Sequence, residues 1–198
     1  MQNWDKHIRK GGLLTVVSGP SGVGKDCVLE ELHRIYPGVK RCVTTTTRLP
    51  RNGETNGVDY TFIEVEEFRK RIADDGFLEY AEVHGNLYGT PRQWVEESLE
   101  KGIDVILKID VQGGLAVKQR IPGAFMIFIT PPSVEELERR LRDRSTESEE
   151  QIVKRLRDAQ HELEQIPQYD YIVENDSIKK TAEEIKAILI AEHCRIQK

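Results

Sequence analysis

Residues 13–32 read LLTVVSGPSGVGKDCVLEEL. The run Leu13-Leu14-Thr15-Val16-Val17 is short and apolar, as strands buried on both faces of a parallel sheet are. Gly19 to Lys25 fits G-x-x-x-x-G-K. Val28, Leu29, Leu32 and Ile35 then recur at helical spacing, and Pro37-Gly38 stops the helix. Strand, glycine-rich loop and helix together make a phosphate-binding unit. The glycines let backbone N–H groups turn inward around phosphate oxygens. The helix N-terminus favours an anion, and Lys25 supplies a point charge for the outer phosphates.

Asp26 departs from the pattern. The motif has Ser or Thr here, whose hydroxyl ligates Mg²⁺. A carboxylate is also a hard oxygen ligand, so Asp26 can serve Mg²⁺ directly or through water. It also places a negative charge beside the phosphates, and a basic partner is expected to offset it.

Further apolar runs extend the pattern. Ile103–Ile109, Phe125–Ile129 and Tyr169–Val173 are strand candidates, and helical periodicity marks 91–100, 112–120, 133–144, 147–165 and 177–194. Strands alternating with helices predict an α/β fold, a P-loop-type parallel sheet flanked by helices. Residues 39–90 break the rhythm with Thr, Tyr, Gly and short alternating runs, and predict an inserted, mostly β subdomain. Residues 137–165 are charge-dense helices and predict a helical lid. The core is then 1–38, 91–136 and 166–198.

Composition excludes several classes. The chain has 198 residues, is 38% hydrophobic and 32% charged, and carries a formal net charge of −5. That balance predicts a globular protein and argues against nucleic acid as partner. Cys27, Cys42 and Cys194 are too scattered for a disulfide framework or a zinc site, and predict free thiols in a reducing compartment. No apolar run reaches membrane-span length, and MQNWDKHIRKGG lacks the apolar region of a signal peptide. A cytoplasmic protein, monomer or homodimer, is expected.

A second constellation follows the loop. Arg48 and Arg51, three apart and held by Pro50, suit a clamp on a phosphate monoester, and Tyr60 can add a hydroxyl. Alone, the stretch equally suits a β edge with solvated arginines. Glu79 lies in an alternating run on the face of Phe77, Ala81 and Val83, where a carboxylate needs partners.

Taken together, SGPSGVGK, TTTRLPRNGE, GVDYTF, FLEYAEVHGNLYGT, IDVQG, PPSVEELERRLRDR and the late END resemble the guanylate kinase family, in order and along essentially the whole chain. The resemblance implies transfer of the γ-phosphoryl of ATP to GMP with Mg²⁺. It assigns ATP to Gly19, Pro20, Ser21, Gly22, Val23, Gly24, Lys25, Asp26 and Cys27, with Arg140 and Asn175. It gives the GMP phosphate to Arg48, Arg51, Tyr60 and Tyr88, and the guanine to Thr44, Glu79, Thr90 and Asp110. Thr44 replaces a more usual Ser and keeps the hydroxyl. Lys25, Arg48, Arg144 and Arg155 form the implied catalytic set.

Local alternatives stand beside these roles. Thr90 before Pro91 also suits a helix N-cap, as does Asn175-Asp176-Ser177, and Tyr88 also suits a turn surface. Arg139, Arg140 and Arg142 each follow a glutamate by four residues, an ordinary helix-surface pairing, whereas Arg144 has only Arg140 at that spacing. Ser133-x-x-Glu136 and Thr146-x-x-Glu149 are capping boxes. Ser145 stands where the family often has Gly. Cys27, at the start of the loop helix, is expected to be buried under the loop.

Lys108 is a second departure, since the family usually has an acid there. Lys108 and Asp110 share a strand face, and that strand is expected beside the one leading into the phosphate loop. The two departures therefore predict that Asp26 and Lys108 meet. An Asp after the loop lysine also resembles ribose 1,5-bisphosphate phosphokinases. Non-catalytic guanylate-kinase-like modules of scaffold proteins share the scaffold but tend to lose the lysine present here as Lys25.

Overall fold

A computed structural model of the chain describes residues 9–83, 85–143 and 149–196. β1 (Leu14–Ser18) leads through the glycine loop into α1 (Lys25–Ile35), and β2 (Val39–Arg41) follows. Then come β3 (Thr45–Thr46), β4 (Thr61–Phe62), α2 (Val65–Ala73), β5 (Phe77–Val83), β6 (Asn86–Pro91) and α3 (Arg92–Glu100). The rest is β7 (Asp104–Lys108), α4 (Val111–Arg120), β8 (Phe125–Thr130), α5 (Val134–Arg142), α6 (Glu149–Leu163), β9 (Tyr171–Glu174) and α7 (Ile178–His193).

Five strands form a parallel sheet in the order β2-β7-β1-β8-β9. Every residue of β1 is buried, because the sheet is covered on both faces. Alternation along the strand sends Val17 to a core shared with Leu32 of α1 and Ile185 of α7. Val16 points the other way, into a core with Val95 of α3 and Val117 of α4. β1 and β7 run in register, Val17 opposite Lys108, so their C-terminal ends open onto one crevice. That is where ligands bind in open α/β sheets.

A smaller, four-stranded sheet has the order β4-β3-β6-β5. Two details differ from the sequence expectation of a mostly β unit at 39–90. Val39–Arg41 pairs with β7 and belongs to the large sheet. The unit also contains a helix, α2, with only Phe68 buried. Phe68 stacks on Phe77 at 4.4 Å between ring centroids. Gly89 makes that stack possible, since a Cβ there would sit 2.8 Å from Phe77 Cδ1 and 2.9 Å from Phe68 Cζ.

α5 and α6 pack through Leu137, Leu141 and Ala159. The lid boundary expected at 136/137 falls inside α5, which runs unbroken from Val134 to Arg142. Ser133 caps it, its Oγ accepting from Glu136 N at 3.1 Å. The capping box at Thr146, and Ser145, lie outside the described residues.

Candidate active site

The loop between β1 and α1 needs its glycines. Gly19, Gly22 and Gly24 have φ of 147°, 89° and 97°, a region L side chains rarely enter. Gly19 is doubly constrained, because a Cβ would lie 2.2 Å from Ile129 O. Lys25 Nζ donates to Gly19 O and, at 3.0 Å, to Pro20 O. Burial pulls the Lys25 pKa down from 10.5 to about 8, against the attraction of Glu162 and with the help of Lys108. The ammonium is therefore charged at neutral pH.

Asp26 and Lys108 meet. Lys108 Nζ donates to Asp26 Oδ1, and Arg41 Nη1 reaches the same oxygen at 3.3 Å. Partial burial would raise the Asp26 pKa, but Lys108, then Arg41 and Lys25, hold it below the ordinary aspartate value. The carboxylate is ionised, and its side chain is 59% exposed. Cys27, expected under the loop, is exposed instead. Residues 28 and 29 take the inward positions of α1, leaving position 27 on its outer side.

Across a cavity of about 630 Å³ lie the arginine and tyrosine groups. Arg48 Nη2 donates to both Glu54 oxygens, at 2.8 and 2.9 Å, and its Cζ stands 5.3 Å from the centroid of Tyr60. Glu54 Oε2 also accepts from the backbone N of Arg51 at 2.7 Å. One carboxylate thus sets the turn that carries both arginines. Tyr60 meets Tyr88 edge-on at 6.1 Å.

Deeper in the same cavity sits Glu79, 5% exposed. Thr90 Oγ1 donates to its Oε1 at 2.5 Å. Burial raises the Glu79 pKa to about 7, opposed by Thr90 and reinforced by the Asp110 charge. Thr90 is not a helix cap; Pro91 holds that position and Thr90 faces Glu79. Asp110 is the N-cap of α4, accepting from Gly113 N at 2.8 Å, a role its sequence context did not reveal. Thr44 also lines the cavity.

Other expected residues support the loop from behind. Asn175 does not cap α7, whose N-cap is Ser177. Its Nδ2 donates to Val23 O at 2.7 Å, and Thr181 Oγ1 donates to its Oδ1 at 3.2 Å. Arg140 donates to Glu136 at 2.8 Å, to Val23 O at 3.3 Å and to Asn175 O at 3.0 Å. Arg139 also pairs with Glu136 rather than the expected Glu135, and Arg142 bridges Glu138 to Glu149. Pro20, Val23, Thr90, Arg140 and Asn175 do not themselves line the cavity. Arg155 Nη1 reaches Ser21 Oγ at 3.2 Å. Arg144 lies outside the described residues.

Two contributors went unread in the sequence. Arg41 ends the short strand β2 and reaches Asp26 and Val58 O. Glu162 lines the cavity with Arg155, Asp158 and Ala159, spaced along one face of α6. That spacing was the available signal. Its pKa is raised to about 7 by burial, although Lys25 draws it down.

A loop of this kind holds the phosphates of a nucleoside triphosphate. Facing it on a separate small sheet are a buried carboxylate and an arginine–tyrosine group, suited to the base and the single phosphate of an acceptor. Fold and site together define the class of P-loop nucleoside monophosphate kinases. A family model described as guanylate kinase matches residues 12–192. The guanylate kinase of Caldanaerobacter subterraneus is 47% identical, covering 96% of this chain and 93% of its own. That of Desulfitobacterium hafniense is 51% identical, covering 94% of each. The crystal structure of guanylate kinase from Anaplasma phagocytophilum superposes with a TM-score of 0.78 at 36% identity, over 96% of this chain and 92% of that one. The chain belongs to the guanylate kinase family.

Proposed function

We propose that the chain transfers the γ-phosphoryl of ATP to GMP, and to dGMP, with the residues above in defined roles. The observation that carries this reading is Glu79, a buried carboxylate held by Thr90 and open to the cavity that the phosphate loop also lines. Guanine presents two donors side by side, N1–H and the 2-amino group, and a carboxylate accepts both. Adenine and the pyrimidines do not offer that pair. Thr44 and Asp110 flank the base. Arg48, Arg51, Tyr60 and Tyr88 hold the acceptor phosphate.

On the donor side the loop from Gly19 to Cys27 wraps the triphosphate and Lys25 neutralises its outer charge. Arg140 and Asn175 act by bracing that loop. Arg155, with Arg144, closes from the α5–α6 side onto the transferring group. The acceptor phosphate oxygen is already anionic, so no general base is needed; positioning and charge neutralisation carry the reaction. Closure of the small sheet and the lid excludes water and limits ATP hydrolysis.

Mg²⁺ characteristically binds through one or two carboxylates together with substrate phosphates. Asp26 fits that demand: it is ionised, exposed to the cavity, and both its ion pairs fall on Oδ1. Among the described residues no cluster of three or more His, Cys, Asp or Glu side chains could hold a metal unaided. Asp26 would hold the ion directly or through water, and the bound ion would neutralise phosphate charge.

The test is ADP release from ATP and Mg²⁺ with GMP, dGMP, AMP, UMP or ribose 1,5-bisphosphate as acceptor. Turnover confined to GMP and dGMP is expected. Turnover of the sugar bisphosphate without GMP would overturn the reading, and silence on all acceptors would favour a binding module. Among the described residues no helix is long and apolar enough to cross a membrane. We place the reaction in the cytoplasm, with ATP and GMP as partners and a monomeric or homodimeric protein.

A further inference from the structure

Among the described residues the roles above leave two cations of the cavity unused, Arg41 and Lys108. Lys108 ends β7, directly beside the strand that feeds the phosphate loop. Its side chain is 20% exposed. The ammonium has neighbours on two sides. On one it donates to Asp26 of the loop helix. On the other it stands 5.8 Å from the ring centroid of Tyr60, which itself faces Arg48 and Tyr88. Lys108 also lies close enough to Lys25 for its charge to act on that ammonium. It therefore stands between the group that holds the donor phosphates and the group that holds the acceptor phosphate.

Stability does not account for this placement. A partly buried ion pair returns little once desolvation is counted, and an apolar pair of similar size does as well or better. Charge balance does account for it. Among the described residues the cavity lining carries seven acidic and six basic side chains, and the two nucleotides bring more negative charge than one Mg²⁺ offsets. Each basic group at the meeting point of the phosphates counts.

We propose that Lys108 is a catalytic residue of the transfer, contacting phosphate oxygens where donor and acceptor meet, and that Asp26 positions its ammonium there. This rests on the ATP-to-GMP reading. In the step itself an acceptor phosphate oxygen forms a bond to the γ-phosphorus while the bond to the β,γ-bridging oxygen breaks. That oxygen leaves with the electron pair on ADP. Lys108 stays protonated throughout and offsets charge on the oxygens in flight.

The experiment compares Lys108→Met and Lys108→Arg with the wild type, measuring kcat and KM for both nucleotides, ATP and GMP affinity by calorimetry, and thermal denaturation. Lys108→Met is expected to lower kcat about 100-fold, with ATP and GMP affinities within about threefold and the melting transition retained. Lys108→Arg, which keeps the charge, is expected to stay within about tenfold of wild-type kcat. Should the Met variant not fold, Lys108→Gln replaces it in the same comparison. A wild-type kcat in the Met or Gln variant, or a loss confined to KM, would overturn the proposal. So would an equal kcat loss in the Arg and Met variants, because the charge would then not be the contribution. A wild type inactive on GMP would instead sink the functional reading beneath it.

Discussion

Glu79→Gln separates what a buried carboxylate costs the fold from what it gives the site. The Glu79 pKa is raised from 4.5 to about 7, chiefly by burial. Below pH 4.5 folded and unfolded chains both hold the proton. Between 4.5 and about 7 the folded chain keeps a proton that the unfolded chain releases, so this group's contribution to stability falls as pH rises and is lost above the folded pKa. At about 1.4 kcal/mol per pH unit, the gap corresponds to about 3 kcal/mol. Glutamine carries no charge at any pH and escapes the penalty. The variant should therefore melt higher than the wild type at pH 8, by about 6–12 °C for a chain of this size. Near pH 5 the two should nearly coincide. Function should move the other way, because the variant loses a charged acceptor for two guanine donors. Glutamine keeps one acceptor oxygen and loses the other, so at about 1.5–3 kcal/mol for a hydrogen bond to a charged group kcat/KM for GMP should fall about 10- to 150-fold, with KM for ATP unchanged. The assay is a pair of melting curves at pH 5 and pH 8 beside steady-state kinetics. A stability difference independent of pH would refute the desolvation argument. Unchanged use of GMP would refute the guanine contact.

Lys25→Met tests the same trade on the donor side. Burial lowers the Lys25 pKa from 10.5 to about 8, so its stability contribution is present above pH 10.5 and lost as pH falls through 8; at pH 7 urea titration should show the variant about 3 kcal/mol more stable, while kcat falls about 1,000-fold. Asn175→Ala removes two hydrogen bonds, one to Val23 O, which keeps Arg140, and one from Thr181 Oγ1, which keeps Glu174 O and Ser177 O; denaturant titration should show a loss of about 1–3 kcal/mol, and kinetics a raised KM for ATP with KM for GMP held. Gly89→Ala drives a Cβ into the stacked Phe68 and Phe77; the expected cost is about 1–3 kcal/mol, with KM for GMP raised because Tyr88 and Thr90 are its chain neighbours.

What the sequence made legible follows from where each segment lies. β1, β7 and β8 are covered on both faces, so they stand out as short, mostly apolar runs. The phosphate loop is legible because its glycines, lysine and helix start are contiguous. α2 is not, since VEEFRKRIA buries one side chain and gives no stripe to follow. β2 is three residues at a sheet edge and offers too short a run. Thr90 and Asn175 were ambiguous because residues that cap helices also suit long-range hydrogen bonds. Only the fold decides, by setting Thr90 opposite Glu79 across the β5–β6 pair and Asn175 beneath Val23. Asp26 and Lys108 are 82 apart in sequence. Their meeting was foreseeable because strand adjacency turns two separate departures into neighbours.

Four cations in and behind the site share one feature that bears on affinity. Lys25 rests on Gly19 O and Pro20 O, Arg48 on Glu54, Lys108 on Asp26, and Arg140 on Glu136 and Val23 O. A phosphate that takes over one of these groups replaces a partner already present. Net binding is then the difference between two sets of charge-assisted bonds, smaller than the number of cations suggests. The same internal partners keep the cations oriented, so little reorganisation is needed when charge develops on the transferring group. Both effects suit an enzyme that must release two charged products at every turnover. Glu54 shows the logic most clearly, taking Arg48 on both oxygens while fixing the backbone at Arg51. Asp26 repeats it on the donor side. It is not a worn hydroxyl position but an acceptor that keeps Lys108 and Arg41 at the crevice, with its carboxylate still open to the cavity.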